Sequence, residues 1–151
     1  MHAPEQVEVR SLADYLDVLS RAVFQTGLSW RVIDAKWPGF REAFFGFDPE
    51  RVATLTQADV DRLAEDTRIV RNRRKIEATV DNANALLALD SEPGGFRAWL
   101  GSNPSFEDTV TALRAHFRYL GDTGAYYFLY VVGEPVPAHE EWTKQHPPKR
   151  R

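Results

Sequence analysis

The sequence predicts an all-α protein folded as a compact helical bundle. Three observations predict this class: apolar residues recur at helical spacing, caps and glycines divide the chain into short segments, and no segment alternates like a strand. At 151 residues, with 43% hydrophobic and 12% aromatic residues, the chain suits a single domain over 1–151 with a real core. The polar ends, 1–10 and 144–151, are expected to be loosely held.

Caps mark the first predicted helices. Ser11 caps a helix that runs to about Phe24, because apolar residues follow the cap at helical spacing. A short helix is predicted over residues 29–36, since the Trp-Pro-Gly sequence at 37–39 should end it. Residues 40–45 are predicted to form another turn or two.

Two more caps precede the long helix. Asp48 and Pro49 suit the N-cap and the first position of a helix. Thr56 and Asp59 have the spacing of a capping box, with aspartate in the usual glutamate place. The sequence therefore predicts two short helices in this region.

The longest predicted helix spans residues 72–89. The residues predicted to be buried on it are Ile76, Val80, Ala83, Leu86 and Leu87. Gly94 and Gly95 break the chain after it. The remaining predicted helices span 96–100, 105–117, 123–132 and 137–145, the last of them the weakest.

The turn at Gly27-Leu28 is the first candidate for function. Glycine permits positive φ, so Gly27 can close the first helix and direct Leu28 outward, and Ser29 can cap a helix that begins with Trp30. A protruding leucine beside a tryptophan suits the opening of a DNA stack and the reception of an extruded base. The same spacing also fits an ordinary αα-turn with Leu28 and Trp30 in the core.

Several sequence blocks carry a resemblance to a known family. These blocks are 24–30, 40–44, 47–53, 69–76 and 82–83. In this order and spacing they resemble the DNA-3-methyladenine glycosylase I family of the helix-hairpin-helix DNA glycosylases, and the likeness runs from about Leu16 to Gly133. It implies a helical bundle of that type and a base excision repair enzyme that flips 3-methyladenine out of DNA and hydrolyses its N-glycosidic bond. Because this base is cationic, its bond is already weak, so stacking and desolvation can suffice without a strong nucleophile.

The resemblance also implies residue roles. Trp30 matches the stacking tryptophan and Leu28, beside Gly27, the residue that fills the gap left in the duplex. The base pocket is then expected to contain Trp30, Gln25, Phe24 and Tyr126. No catalytic residue is identified, because Pro137 stands where related glycosylases place an aspartate.

A second expected DNA contact is a hairpin. The helices at 105–117 and 123–132, joined by residues 118–121, have helix-hairpin-helix proportions, in which backbone N–H groups and the positive helix end face a phosphate. Gly121 and Thr123 match the family, whereas Asp122 departs from it and brings a carboxylate near the expected phosphate. An ordinary αα-turn is the alternative.

A run of cations before the long helix is another expected backbone contact. Arg71 and Lys75 coincide with family positions, and a phosphate ligand would explain cations at a helix start. A solvated charged face is the alternative. The basic tail at 149–151 is expected to be disordered.

The departures from the family are specific. A base-recognising glutamate falls at Ala22, and the family's amino-terminal segment, with pocket tyrosines and two zinc ligands, has no counterpart before Met1. The second pair of zinc ligands is also lost, so neither a metal nor another cofactor is expected, and His139 is expected at the surface or at a cap.

The composition limits the kinds of partner that the chain is expected to bind. A net charge of −3 argues against a generally polycationic binder but permits a local basic face. No apolar run is long enough to span a membrane and no signal peptide opens the chain, so a soluble cytoplasmic protein is expected, and it is expected to be a monomer. The resemblance implies alkylation-damaged double-stranded DNA as its partner. Two alternatives remain: a non-catalytic DNA-binding relative that kept the scaffold, and a helical protein-interaction domain, which the net charge and Asp122 favour.

Overall fold

The structure, a computed structural model, describes residues 3–147, and this part of the chain contains nine α-helices, one 3-10 turn and no strand, which confirms the all-α class. The helices are α1 (Leu12–Gln25), α2 (Trp30–Ala43), α3 (Pro49–Ala53), α4 (Gln57–Leu63), α5 (Arg73–Asp90), α6 (Gly95–Gly101), α7 (Phe106–His116), α8 (Asp122–Val131) and α9 (His139–Gln145), with the 3-10 turn at Phe45–Phe47. The basic tail at 149–151 lies outside the described residues.

Helix α1 lies at the centre of the bundle, in contact with α2, α5 and α8. The core residues Leu16 and Leu19 of α1 pack with Ile76 of α5 and Phe128 of α8, and all four are almost completely buried. Full burial of such a side chain stabilises the fold by roughly 1.5–3 kcal/mol. The core therefore holds α1, α5 and α8 in fixed relation, and these helices carry the candidate site.

The predicted caps form as expected. The Ser29 hydroxyl accepts a hydrogen bond from the Val32 amide at 3.3 Å, and the Asp48 carboxylate accepts one from the Glu50 amide at 3.1 Å. Thr56 and Asp59 accept from each other's backbone amides at 3.2 and 2.8 Å, which confirms the capping box. Each cap satisfies backbone N–H groups that a helix start leaves without partners.

Helix α2 corrects one prediction. It continues through Pro38 to Ala43, so both the predicted end at 37–39 and a separate turn over 40–45 are wrong. Trp37 and Phe40 lie on one face and are almost completely buried, and the Trp37 ring stacks on Phe40 and Phe47 at 4.7 and 5.3 Å. An interior proline costs about 3 kcal/mol, and burial of two large aromatic side chains offsets that cost.

Helix α5 agrees with its predicted bounds to within one residue at each end. Of its predicted buried residues, Val80 and Leu87 are only half-buried. Its buried face also carries three polar residues spaced for one side of a helix, Lys75, Thr79 and Asn82, which form the polar stripe of α5. The Thr79 hydroxyl donates to the Lys75 carbonyl within α5, at 2.8 Å. The side chains of Lys75 and Asn82 instead bind neighbouring segments.

The amino-terminal segment runs beside the end of α8. The Val7 amide donates to the Val131 carbonyl, and the Gln6 side-chain amide donates to the Tyr130 carbonyl, both at 2.9 Å. The loose ends expected at 1–10 and 144–151 stay a prediction about motion. Among the described residues, no helix combines the length and the apolar character needed to cross a membrane.

Candidate functional site

We name the turn between α1 and α2, residues 25–29, the wedge turn after the role predicted for Leu28. The Leu28 amide donates to the Gln25 carbonyl at 2.7 Å, and the Gln25 side-chain amide donates back to the Leu28 carbonyl at 2.9 Å. Gly27 has φ 83°, as its predicted role requires. Leu28 is half-buried against the core, so it is neither sealed inside nor fully extended into solvent. The Gln25 amide thus holds the turn, and its contact with a base stays a prediction.

Lys75 corrects a second prediction. This residue is only 6% exposed, and its ammonium donates hydrogen bonds to the carbonyls of Phe24 and Thr26, at the end of α1. A cation at a helix carboxyl end satisfies carbonyls that lack helical partners and interacts favourably with the helix dipole. Lys75 therefore anchors the wedge turn from inside the protein and does not lie on the surface, where a phosphate would bind.

Trp30 lies half-buried at the start of α2, with its ring against Tyr127 of α8 at a centroid distance of 4.5 Å and an interplanar angle of 40°. Sequence reasoning missed Tyr127. The one signal in the sequence was its position beside Tyr126, which was predicted for the pocket. Adjacent residues on a helix point in different directions, so only one of the two tyrosines can meet Trp30.

Tyr126 faces the opposite way, which corrects its assignment to a pocket with Trp30. Its ring stacks on Trp142 at 4.5 Å and 3°, and its hydroxyl donates to the Pro137 carbonyl at 2.7 Å. Burial raises the pKa of Tyr126, which is 3% exposed. The residue therefore joins α8 to α9, away from the wedge turn.

Phe24 is a core residue, which corrects its assignment to the base pocket. Its side chain has no exposed surface, and its ring packs edge-on against Phe40 at 4.7 Å and near Phe44 at 6.1 Å. A ring at this depth supports the end of α1 and is out of reach of a base at the surface.

Ala22 of α1 lies opposite Gly124 of α8, where the two helices are in contact. A Cβ atom added at Gly124 would lie 3.7 Å from the Ala22 Cβ and 3.1 Å from a Leu120 methyl group. Ala22 is 2% exposed, so a larger side chain at this position would have to displace its neighbours. The alanine at the glutamate position is therefore part of a tight helix crossing.

The Trp30–Tyr127 pair has charged neighbours. Burial raises the pKa of Tyr127 to about 12, with Arg21 lowering it and Asp34 and Asp17 raising it in turn. Arg21 pairs with Asp34, and the Asp17 carboxylate accepts from Arg41 at 2.8 Å, so each carboxylate has its own cation. The surroundings of Tyr127 are therefore close to neutral, and its phenol stays protonated at physiological pH.

Residues 118–121, the hairpin link, join α7 to α8. The buried Asn82 side chain accepts from the Arg118 amide at 2.7 Å and donates to the Arg118 carbonyl at 3.2 Å. Tyr119 has φ 60° and is 40% exposed. The link is thus fixed from inside by Asn82, and it presents a tyrosine in a left-handed conformation at the surface.

The start of α8 is partly as predicted. Gly121 is the N-cap and Thr123 is exposed, but Gly121 has φ −96° and open space around its Cα, so the fold itself does not require glycine there. Asp122 binds Arg114 of α7 at 2.7 Å, and its side chain makes no cap. The carboxylate by which Asp122 departs from the family is thus paired with a cation that α7 supplies.

Most cations of the predicted run already bind partners within the protein. Arg68 pairs with Asp66 at 2.7 Å, and Arg73 pairs with Asp61 at 2.6 Å. Arg71 is exposed and forms no ion pair within residues 3–147. Of the two cations expected to contact the DNA backbone, Arg71 and Lys75, only Arg71 is accessible.

The zinc site of the resembled family does not fit this chain. Within the part that the structure describes, no three His, Asp or Glu side chains gather closely enough to hold a metal ion. The ring of His139 lies near Tyr126 and Tyr130, at 6.4 and 5.9 Å, where α9 begins.

Comparison with known proteins gives a consistent result. A sequence model described as methyladenine glycosylase matches residues 7–116. The chain is 32% identical over 130 residues to a DNA-3-methyladenine glycosylase of Haemophilus influenzae, covering 72% of this chain and 70% of that protein. It is 37% identical over 87 residues to DNA-3-methyladenine glycosylase 1 of Escherichia coli, covering 58% of this chain and 46% of that protein.

Solved structures show the same similarity. A crystal structure of 3-methyladenine DNA glycosylase I superposes with a TM-score of 0.74 at 28% identity, covering 84% of this chain and 81% of that one. The 3-methyladenine DNA glycosylase I of Staphylococcus aureus gives a TM-score of 0.74 at 28% identity, covering 85% and 80%. Both the sequence and the fold are therefore similar to those of these glycosylases.

Proposed function

The chain belongs to the methyladenine glycosylase family, and from this premise we propose that it excises 3-methyladenine from alkylated double-stranded DNA as a step of base excision repair. The damaged nucleotide is flipped out of the duplex, and water replaces the base at the sugar. We include in the proposal that the chain acts as a single-domain monomer in the bacterial cytoplasm, where such damage arises.

The contact between Trp30 and Tyr127 is the observation that carries this proposal. It places the half-exposed indole, which follows the wedge turn, against α8, the helix that begins at the hairpin link. A duplex held by the hairpin link therefore has the wedge turn and an aromatic surface for a base within the same region of the protein. An αα-turn with Trp30 buried in the core would not support the proposal.

The proposed roles follow from accessibility. Leu28 fills the gap left in the duplex, and Trp30 stacks on the extruded base. Backbone amides near Gly121 and Thr123, together with the exposed Arg71, contact phosphates. Lys75 is excluded from direct contact and positions the wedge turn.

The chemistry matches a site without a carboxylate at position 22. As the glycosidic C–N bond breaks, its electron pair moves to the cationic base and neutralises it, while water bonds to the sugar carbon and gives up a proton to solvent. The leaving base is stable, so desolvation and stacking on Trp30 can supply the remaining rate enhancement. Such a site should favour bases that carry a positive charge in DNA.

Release of methylated bases from alkylated duplex DNA tests this proposal. We expect release by the unaltered chain above buffer and a loss of roughly 5- to 150-fold in lesion binding for Trp30→Ala, because base stacking contributes roughly 1–3 kcal/mol. Trp99→Ala is the control, because Trp99 is also half-buried but packs on Phe96 at 5.6 Å, in α6. Absence of release above buffer would remove the proposed activity.

One observation favours a second candidate, a non-catalytic DNA-binding relative. Ala22 supplies no charge to the base, and it is buried opposite Gly124 of α8. DNA binding that weakens steeply with salt, without base release, would select this candidate.

A further inference from the structure

We propose that Tyr127 occupies the place of the extruded base on Trp30 in the DNA-free protein and leaves that place when a base enters. This inference rests on the proposed function, because it concerns the same Trp30 face. It assigns to Tyr127, which no family motif indicated, the role of a residue that controls access to the stacking surface.

The distance between the rings is the first argument. Their centroids are 4.5 Å apart, which is direct contact. A base inserted between them requires about 7–8 Å, twice the contact distance of about 3.5–4 Å. A base therefore cannot reach this face of Trp30 unless the Tyr127 ring moves aside.

The direction of entry is the second argument. Trp30 begins α2 directly after the wedge turn, and Tyr127 lies on α8, the helix that begins at the hairpin link. A nucleotide extruded from a duplex that touches both segments enters between the start of α2 and α8. The contact between Trp30 and Tyr127 lies on this path, because it joins the start of α2 to α8.

The burial pattern along α8 is the third argument. The neighbours of Tyr127, Tyr126 and Phe128, are 3% and 0% exposed and form the packed interior. Tyr127 and Trp30 are only half-buried, and although burial raises the pKa of the Tyr127 phenol, part of each side chain lies at the edge of the protein. A side chain at the edge can change rotamer without opening the core.

Charge does not hold Tyr127 in place. The charged groups nearest to it are Arg21, Asp34 and Asp17, and both carboxylates already bind arginines, Arg21 and Arg41. The contact with Trp30 is thus mainly aromatic. It keeps the indole out of water until DNA binding and wedge insertion deliver a base that stacks better.

Calorimetric titration of the full chain with free 3-methyladenine and with adenine tests the proposal. Tyr127→Ala should bind both bases between roughly twofold and tenfold more tightly than the unaltered chain, which corresponds to one aromatic contact. Tyr127→Phe should match the unaltered chain, because the ring remains. Tyr130→Ala is the control, since Tyr130 is a half-buried tyrosine on the same helix whose ring neighbours are Tyr126 and His139.

Acrylamide quenching of tryptophan fluorescence gives a readout that needs no ligand. Quenching should increase in Tyr127→Ala, and the increase should disappear when Trp30 is also changed to Phe. Tyr127→Leu replaces the alanine variant if the latter melts at a much lower temperature, and it should show the same two effects.

The outcomes separate this inference from the proposed function. Weaker base binding by Tyr127→Ala would show that Tyr127 supports the base, and unchanged or undetectable binding in every variant would show that it does not compete; either result overturns the inference. If the chain releases 3-methyladenine from DNA in these cases, the proposed function still stands. If Tyr127→Ala gains base binding but no variant releases a base from DNA, the inference stands and the proposed activity fails.

Discussion

The wedge turn and the hairpin link are anchored by the same helix but in different ways. Lys75 and Asn82 lie on the polar stripe of α5, two turns apart, and each is almost completely buried. Lys75 holds carbonyls at the end of α1, whereas Asn82 holds both backbone groups of Arg118. One rigid helix therefore sets the spacing between the two segments that we propose contact DNA.

The difference between the anchors is one of charge. Hydrogen bonds from an ammonium to carbonyls are stronger than neutral amide bonds, and the carbonyls at the end of α1 lack helical partners. Asn82 is neutral: its side-chain amide donates one hydrogen bond to the Arg118 carbonyl and accepts one from the Arg118 amide. The anchor that α5 provides for the wedge turn is therefore a single cation, and its anchor for the hairpin link is a neutral pair of hydrogen bonds.

The two segments also differ in the type of residue that adopts the left-handed backbone conformation. The wedge turn uses Gly27 at φ 83°, which carries little strain, whereas the hairpin link uses Tyr119 at φ 60°. A left-handed conformation costs an L-residue about 1–2 kcal/mol. Because Tyr119 is 40% exposed, burial repays only part of this strain, and we expect the ring to serve DNA contact.

Lys75→Met is the change with the largest expected effect. It leaves the carbonyls of Phe24 and Thr26 without the ammonium and should lower the free energy of unfolding by about 2–3 kcal/mol. Urea denaturation measures this loss, and base release should fall with it because the wedge turn moves. Arg74→Met, at an exposed position on the same helix, is the control. Equal stability of the two variants would show that Lys75 is not an anchor.

Asn82→Ala should have an intermediate effect. Loss of two neutral hydrogen bonds to Arg118 should lower the free energy of unfolding by about 1–2 kcal/mol, and DNA affinity should fall while binding of free bases is kept. Asn84→Ala is the control, since Asn84 is exposed on the same helix and its amide binds the carbonyls of Ala53 and Val80. A loss as large as that of Lys75→Met would remove the distinction between the two anchors.

Tyr119→Gly and Tyr119→Ala should differ only slightly. Both remove the ring and should weaken DNA binding equally, but the glycine variant should be more stable than the alanine variant by about 1 kcal/mol, because glycine adopts positive φ without strain. Thermal denaturation and DNA titration measure the two effects. At the wedge turn the opposite change, Gly27→Ala, should cost about the same amount. If the glycine variant is no more stable, strain at Tyr119 does not distinguish the two segments.

Much of the candidate site followed from local pattern. Positive φ at Gly27 and the caps at Ser29 and Thr56 are properties of a few consecutive residues, and the structure confirms them. Lys75 and Tyr126 were assigned wrongly because a motif gives a position along the chain and not the direction of the side chain. Each points toward a partner far away in sequence, Lys75 toward the end of α1 and Tyr126 toward α9.

The sequence by itself determined most of the helices, their caps, the glycine turn and the family, because these depend on signals within a few residues of each other or on ordered blocks. Only the tertiary structure decided that α2 continues through Pro38, that Lys75 is an internal anchor and that Tyr127 meets Trp30. The physical reason is that burial of aromatic rings and pairing of buried polar groups involve residues distant in sequence. Their free energy is large enough to override local preference, and a local pattern contains no information about such partners.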